Sequence, residues 1–251
     1  MRQEAYFCTV KELNELGKNN IPQQLISHTH LIYSSPATLA FNSPGAEGFG
    51  VKRAGLAVPG SVMLIVSPGC CGRNTSVLSS MRAYQDRFYY LLMDETDIVT
   101  GRHLKKIPKA VAEICEGLKK KPSVVMICIT CVDALLGTDM ERVCHKAEEY
   151  AGVPVRPCYM YALTREGRKP PMVHVRQSVY SLLEPKKKKG NVVNLLGYFS
   201  PLTDDCELYD LLHGAGVKTI HEISRCKDYA QYQTMSEANF NLVLHPEARF
   251  A

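Results

Sequence analysis

Apolar and polar positions alternate in blocks along this chain, and the blocks predict its elements. Ser61-Val-Met-Leu-Ile-Val66 is a short continuous apolar run, the pattern of a strand buried on both faces, and Ser67-Pro-Gly-Cys-Cys-Gly72 closes it. Phe88 to Met93 is a second such run, followed by a polar turn, Asp94-Glu-Thr-Asp97. Leu104, Ile107, Val111, Ile114 and Leu118 recur at steps of three and four, the stripe of an amphipathic helix, with Pro122 as its stop. Val124-Val-Met-Ile-Cys-Ile129 reads as the next buried strand. Met140, Val143, Ala147 and Tyr150 mark a helix stopped by Gly152, Val153 to Cys158 a short strand, and Met172 to Leu183 a further helix. Strand and helix in alternation predict an α/β fold, a Rossmann-like parallel sheet with helices on both faces.

Pro185-Lys-Lys-Lys-Lys-Gly190 reads as a linker, because like charges repel and Pro and Gly bound them. A fresh unit starts behind it. Asn191 to Leu196 is a strand, Asp204 to Leu212 a helix capped by Asp204 or Thr203, and Val217 to Ile220 and Phe240 to Leu244 are further strands. The expected organisation is an N-terminal α/β domain over residues 1–184, a lysine-rich linker over 185–190, and the start of a second Rossmann-like domain over 191–251. That second unit is begun and not finished, as in a piece of a longer protein.

Of the 251 residues, 45% are hydrophobic and 22% charged, which excludes a disordered or collagen-like chain. The longest apolar stretches are too short to cross a bilayer. Charges stand in the first fifteen residues where a secretory apolar segment would lie, so a cytoplasmic protein is expected. The net charge of +5 includes four lysines in one run, Lys186 to Lys189, and gives no reason to expect nucleic-acid binding.

Ten cysteines change the picture, because cytosolic thiols stay reduced and point to metal or redox chemistry rather than disulfides. In a parallel sheet the loops at the carboxyl ends of the strands open on one edge, where ligands bind. Cys70 and Cys71 follow the first buried strand, Cys131 follows the third, and Cys158 closes the fourth. Four thiols are therefore expected to converge on one edge, where Gly69 and Gly72 allow a bulky ligand close to the backbone. Thiolates on such loops suit an iron–sulfur cluster. Cys128, Cys115 and Cys144 read as buried packing residues, and Cys8, Cys206 and Cys226 have no partner by spacing. A zinc ribbon would need a second CxxC, and a thioredoxin-like pair would start a helix. His28 and His30 read as a surface loop, with metal binding as the alternative. The chain has neither a GxxxxGK[ST] loop nor a GxGxxG, so an energy-coupled reaction would need a second protein.

From about Ser43 onward the chain resembles the component 1 proteins of nitrogenase and their relatives, which include cofactor-assembly scaffolds and tetrapyrrole reductases. Ser67-Pro-Gly-Cys-Cys-Gly72 is similar to the family's Gly-Cys loop, which supplies a cluster thiolate. Asp94-Glu-Thr-Asp-Ile-Val-Thr-Gly101 with Leu104-Lys-Lys is similar to its DIVFGGxxKL segment, and Ile129-Thr-Cys-Val-Asp-Ala-Leu-Leu-Gly-Thr-Asp139 to its TCxxxxIGDD segment. Val192-Asn-Leu-Leu-Gly197 resembles the opening of its second domain.

The resemblance implies that Cys131 and one or both of Cys70 and Cys71 bind iron. Cys71 aligns with the alpha-type loop and Cys70 with the beta-type. It implies a dimer, either a homodimer or a heterodimer with a related chain, with a [4Fe–4S] cluster at the subunit interface. A larger [8Fe–7S]-type cluster follows if all three cysteines of each chain take part. An ATP-dependent iron protein would be the electron donor. Two positions depart from the family. Phe41 to Gly60 contains no cysteine where the family has an upstream ligand, and His245 stands where the alpha subunit has its cofactor-holding cysteine. The leading expectation is thus a reductase subunit relaying electrons through the interface cluster to a substrate. A non-catalytic cofactor-assembly scaffold and a zinc-binding structural module are the alternatives.

Overall fold

The computed structural model describes residues 9–17, 20, 47–69, 79, 82, 84–130, 136–159 and 170–251. After a short helix, α1 (Val10–Leu16), and α2 (Glu47–Gly55), the chain forms β1 (Val62–Ser67) and β2 (Phe88–Leu92). Helices α3 (Glu95–Thr100) and α4 (Arg102–Gly117) lead into β3 (Val125–Ile129), and α5 (Met140–Ala151) into β4 (Val155–Tyr159). The four strands make one parallel sheet in the order β2-β1-β3-β4. Every residue of β1 and β3 is buried, as their unbroken apolar runs require of strands covered on both faces.

Side-chain alternation divides the core in two. Met63, Ile65, Met126, Cys128 and Cys158 pack on one face against Val51 and Ala54 of α2 and against α6 (Pro171–Tyr180) through Val175 and Val179. Leu64, Val66, Ile127 and Ile129 pack on the other against Ile107 and Val111 of α4 and Cys144 and Ala147 of α5. The expected sheet with helices on both faces is what the chain forms. Helix α5 stops at Gly152 as expected, in the left-handed conformation at φ 60°, and Asp139 caps its start by accepting from the Arg142 amide.

Two local expectations are corrected. The segment Asp94 to Asp97 is no turn but the start of α3. Asp94 and Asp97 form a reciprocal capping box, so the polar residues that suggested a loop satisfy a helix's first amides. The long helix stops at Gly117, before Pro122, because Leu118 is already extended at φ −85°, ψ 134°.

The second unit is β5 (Lys189–Leu196), α7 (Glu207–Gly214), β6 (Thr219–His221), α8 (Tyr229–Gln233) and β7 (Ala238–Val243), with parallel strands in the order β6-β5-β7. Strand β5 begins inside the lysine run: Lys188 donates to the Ser236 carbonyl at 2.8 Å and Lys189 pairs with Glu237 at 2.5 Å. Helix α7 starts at Glu207 with Cys206 at its cap, not at Asp204, whose carboxylate is taken by Arg225 at 2.6 Å. The two sheets share one core. Leu196, Ile223, Tyr232 and Met235 pack with the α2/α6 face of the first sheet. The buried Tyr232 hydroxyl donates to the Val179 carbonyl, and Gln233 donates to the Leu182 carbonyl at 2.7 Å. Among the described residues no helix is long and apolar enough to cross a membrane.

Candidate functional site

In the order β2-β1-β3-β4 the winding reverses between β1 and β3, the switch point at whose carboxyl ends an open α/β sheet is expected to have its ligand crevice. Val66 pairs with Ile129 at that switch point, and β1 and β3 end within one residue of this pair. Cys70 is the third residue after β1 and Cys131 the second after β3. Cys70, Cys71 and Cys131 themselves lie outside the described residues, as do Gly72, His28 and His30. The described strand ends are therefore the last described positions before these cysteines in the chain.

The frame is polar where the sheet around it is not. Ser67 is 0% and Thr130 2% exposed, and the hydroxyl of each is buried without a hydrogen-bond partner. By strand alternation both lie on the α2/α6 face, in line with Ile65 and Cys128. The backbone at Ser67 is satisfied, since its carbonyl accepts from the Met93 amide at 3.0 Å. Lys52 of α2 is fully buried on the same face, and its charge opposes the burial that pushes the Cys128 thiol up to about 12.

Cys158 does not join the site. It lies within β4, fully buried and in register with Cys128, and burial raises its thiol well above the ordinary value. A strand that runs one residue further, to Tyr159, turns this expected edge thiol into core. Cys115 and Cys144 are buried packing residues, as expected, and burial raises both thiols. Cys206 and Cys226 are half-buried, and the Cys226 thiol donates to the Glu222 carbonyl at 3.4 Å. Among the described residues no group of three or more His, Cys, Asp or Glu side chains is placed to hold a metal ion.

Beside β1, the edge strand β2 leads into a charged clamp that periodicity did not reveal. Asp97 is 1% exposed and accepts from Arg102 Nε at 3.0 Å and Lys106 Nζ at 2.6 Å. The Lys106 hydrogen bond, followed by that of Arg102, holds its carboxyl below the ordinary value against the opposing effect of burial. Its carbonyl meets His103 Nδ1 at 2.9 Å, and Gly101, at φ 65°, makes the corner between α3 and α4. The spacing Asp97, Arg102, Lys106 was the available signal.

The second sheet reverses its winding between β5 and β7, and the residues just past these strands meet. Gly197, at φ 139°, approaches His245 so closely that a Cβ there would stand 2.7 Å from the His245 nitrogen. The buried Arg176 of α6 donates twice to the Gly197 carbonyl, at 2.6 and 3.2 Å, and pairs with Glu247 at 2.9 Å. The His245 ring stands edge-on to Tyr198, and its Nδ1 accepts from the Glu247 amide at 3.3 Å.

Two successive parallel sheets, each with a winding reversal, define a Rossmann-like α/β protein of the two-sheet type. The chain belongs to the nitrogenase component 1 type oxidoreductase family, whose model matches residues 47–251. It is similar to the nitrogenase iron-molybdenum cofactor biosynthesis protein NifE of Rhizobium meliloti (strain 1021), at 32% identity over 127 residues covering 49% of this chain and 26% of the relative. The corresponding protein of Klebsiella pneumoniae is 26% identical over 164 residues, 61% of this chain and 35% of the relative. Among solved structures, nitrogenase Cp1 at pH 5 superposes with a TM-score of 0.55 at 22% identity, over 78% of this chain and 43% of that one, and shares the fold. The chain thus spans between about a fifth and two fifths of the length of the curated relatives it matches.

Proposed function

We propose that this chain holds an iron–sulfur cluster at the β1/β3 crevice, shared with a second chain, and serves as a scaffold on which a metal cofactor is assembled. The observation that carries the reading is the register of Val66 with Ile129, since Cys70, Cys71 and Cys131 follow this pair within five residues in the sequence. The donor set suits iron: thiolates are the ordinary ligands of such clusters, and the strand ends carry buried hydroxyls with no protein partner. Cys131 and one or both of Cys70 and Cys71 would hold the group, which supplies one-electron redox chemistry when bound. What the chain's own residues do is exclude water and fix the loops: β1 and β3 are wholly buried up to the crevice, and the Asp97 clamp pins the turn from α3 into α4. Residues 1–184 would form the cluster-holding domain and 191–251 the start of a second.

The scaffold reading is favoured by the relatives' names, since those cited are cofactor biosynthesis proteins. A reductase subunit, fed by an ATP-dependent iron protein, is the second reading and is favoured by the oxidoreductase description of the family. Anaerobic loading with iron and sulfide tests the proposal. A brown protein whose iron is lost in Cys131→Ala and kept in Cys128→Ala is expected, and a colourless protein with stoichiometric zinc would overturn it. Incubation with an apo-ferredoxin then separates the two readings, because a scaffold yields its cluster whereas a relay retains it.

A further inference from the structure

We infer that the hydroxyls of Ser67 and Thr130 donate hydrogen bonds to sulfur of a metal–thiolate centre in the β1/β3 crevice and so set its redox balance. The inference rests on the cluster-holding reading above.

Buried hydroxyls are almost always hydrogen-bonded, because losing water without gaining a partner is costly, so each exception needs an explanation. Among the described residues the other buried side-chain oxygens without a partner are on Tyr180, Asn194 and Ser224, no two of them at adjoining strand ends. Ser67 and Thr130 are different. They follow Val66 and Ile129, which pair across the switch point, so neighbouring positions of neighbouring strands carry the two hydroxyls on one face. Neither bonds the other, although parallel strands run about 4.8 Å apart. Each hydroxyl also stands just before a thiol: Thr130 adjoins Cys131, and Ser67 precedes Cys70 by three residues. Buried O–H groups without an acceptor, followed in the chain by cysteines whose thiolates are acceptors, form a matched set. A hydrogen bond to cluster sulfur stabilises the more negative, reduced state, which is one of the ways a protein raises a cluster's potential.

The test uses the full chain, loaded anaerobically with iron and sulfide, with Ser67→Ala, Thr130→Val, the pair together, and Thr130→Ser as the conservative control. Iron content should stay unchanged in all of them. The reduced-to-oxidised ratio at a fixed potential should fall about tenfold in the double variant, equivalent to about 59 mV for one electron, and Thr130→Ser should restore the wild-type midpoint. Metal-free variants should be at least as thermally stable as wild type, because no protein hydrogen bond is lost. Retained iron with an unmoved midpoint would overturn this inference alone, leaving ordered water or packing as the role of the hydroxyls. A wild-type chain that binds no iron would overturn the cluster-holding reading together with it.

Discussion

Burial decides what each cysteine can do. Cys128 and Cys131 are three residues apart, yet Cys128 is sealed inside β3, where burial pushes its thiol up to about 12 and disfavours the thiolate that a metal needs. Cys128→Ala should therefore keep iron and cost about 1–2 kcal/mol, the scale of a small buried truncation, measured by urea unfolding. Equal iron loss in Cys128→Ala and Cys131→Ala would show that their roles are misassigned. Asp97 illustrates the same logic with a charge. Its folded carboxyl is held below the ordinary value, first by Lys106, so its ionisation favours the folded state. That contribution is present above the unfolded value of about 3.9 and is lost as pH falls through the lower folded one. Asp97→Asn should lower the melting temperature at neutral pH and flatten its fall below about pH 4. A wild-type-like acid profile in the variant would refute the assignment.

Element boundaries follow from where main-chain groups find partners. Helix α3 exists because Asp94 and Asp97 satisfy each other's amides, and Gly101 then turns the chain into α4. Helix α7 cannot begin at Asp204, because Arg225 holds that carboxylate while also donating to the Leu202 carbonyl at 2.7 Å. The end of β5 depends on Gly197 in the same way. Its positive φ disfavours any side chain, and a Cβ would meet backbone of His245 that has little room to retreat. Gly197→Ala should destabilise the protein by at least about 2 kcal/mol in a urea titration. A neutral result would mean that the loops past β5 and β7 separate freely.

Among the described residues several polar contacts join the two sheets, and those of Arg176 reach the residues past both β5 and β7. It reaches from α6, on the first sheet, to the Gly197 carbonyl past β5 and to Glu247 past β7, with the Phe199 ring 5.0 Å away. Arg176→Met should cost about 3 kcal/mol, since it removes the donor from the buried Gly197 carbonyl and the ion pair from the half-buried Glu247, and Glu247→Leu in the same chain should recover part of this. Thermal unfolding of the single and double variants measures both. Assembly is the larger consequence. A [4Fe–4S] cluster takes four ligands, and two copies related by a two-fold axis would offer Cys71 and Cys131 twice. Iron-loaded protein should therefore run as a dimer in size-exclusion with light scattering, and metal-free protein should dimerise less tightly. An iron-replete monomer would sink that arrangement.

The α/β class, the buried strands β1 and β3, the stripe of α4 and the Gly152 stop of α5 were all legible in the linear order of residues. Each rests on local chemistry: unbroken apolar runs, a period near 3.6 and a Gly after a helix. The motifs that place the chain in its family are equally local. What the sequence alone could not supply was everything decided by neighbours distant in the chain. The fate of Cys158 depended on pairing with Cys128, since a strand's last residues are core or edge according to how far the adjacent strand runs. The Asp94 segment looked like a loop because polarity does not reveal whether a carboxylate caps a helix or faces water. Only the strand order put Ser67 beside Thr130, and Gly197 against His245, because residues far apart in sequence become neighbours through hydrogen-bonded register and the helices that cover it.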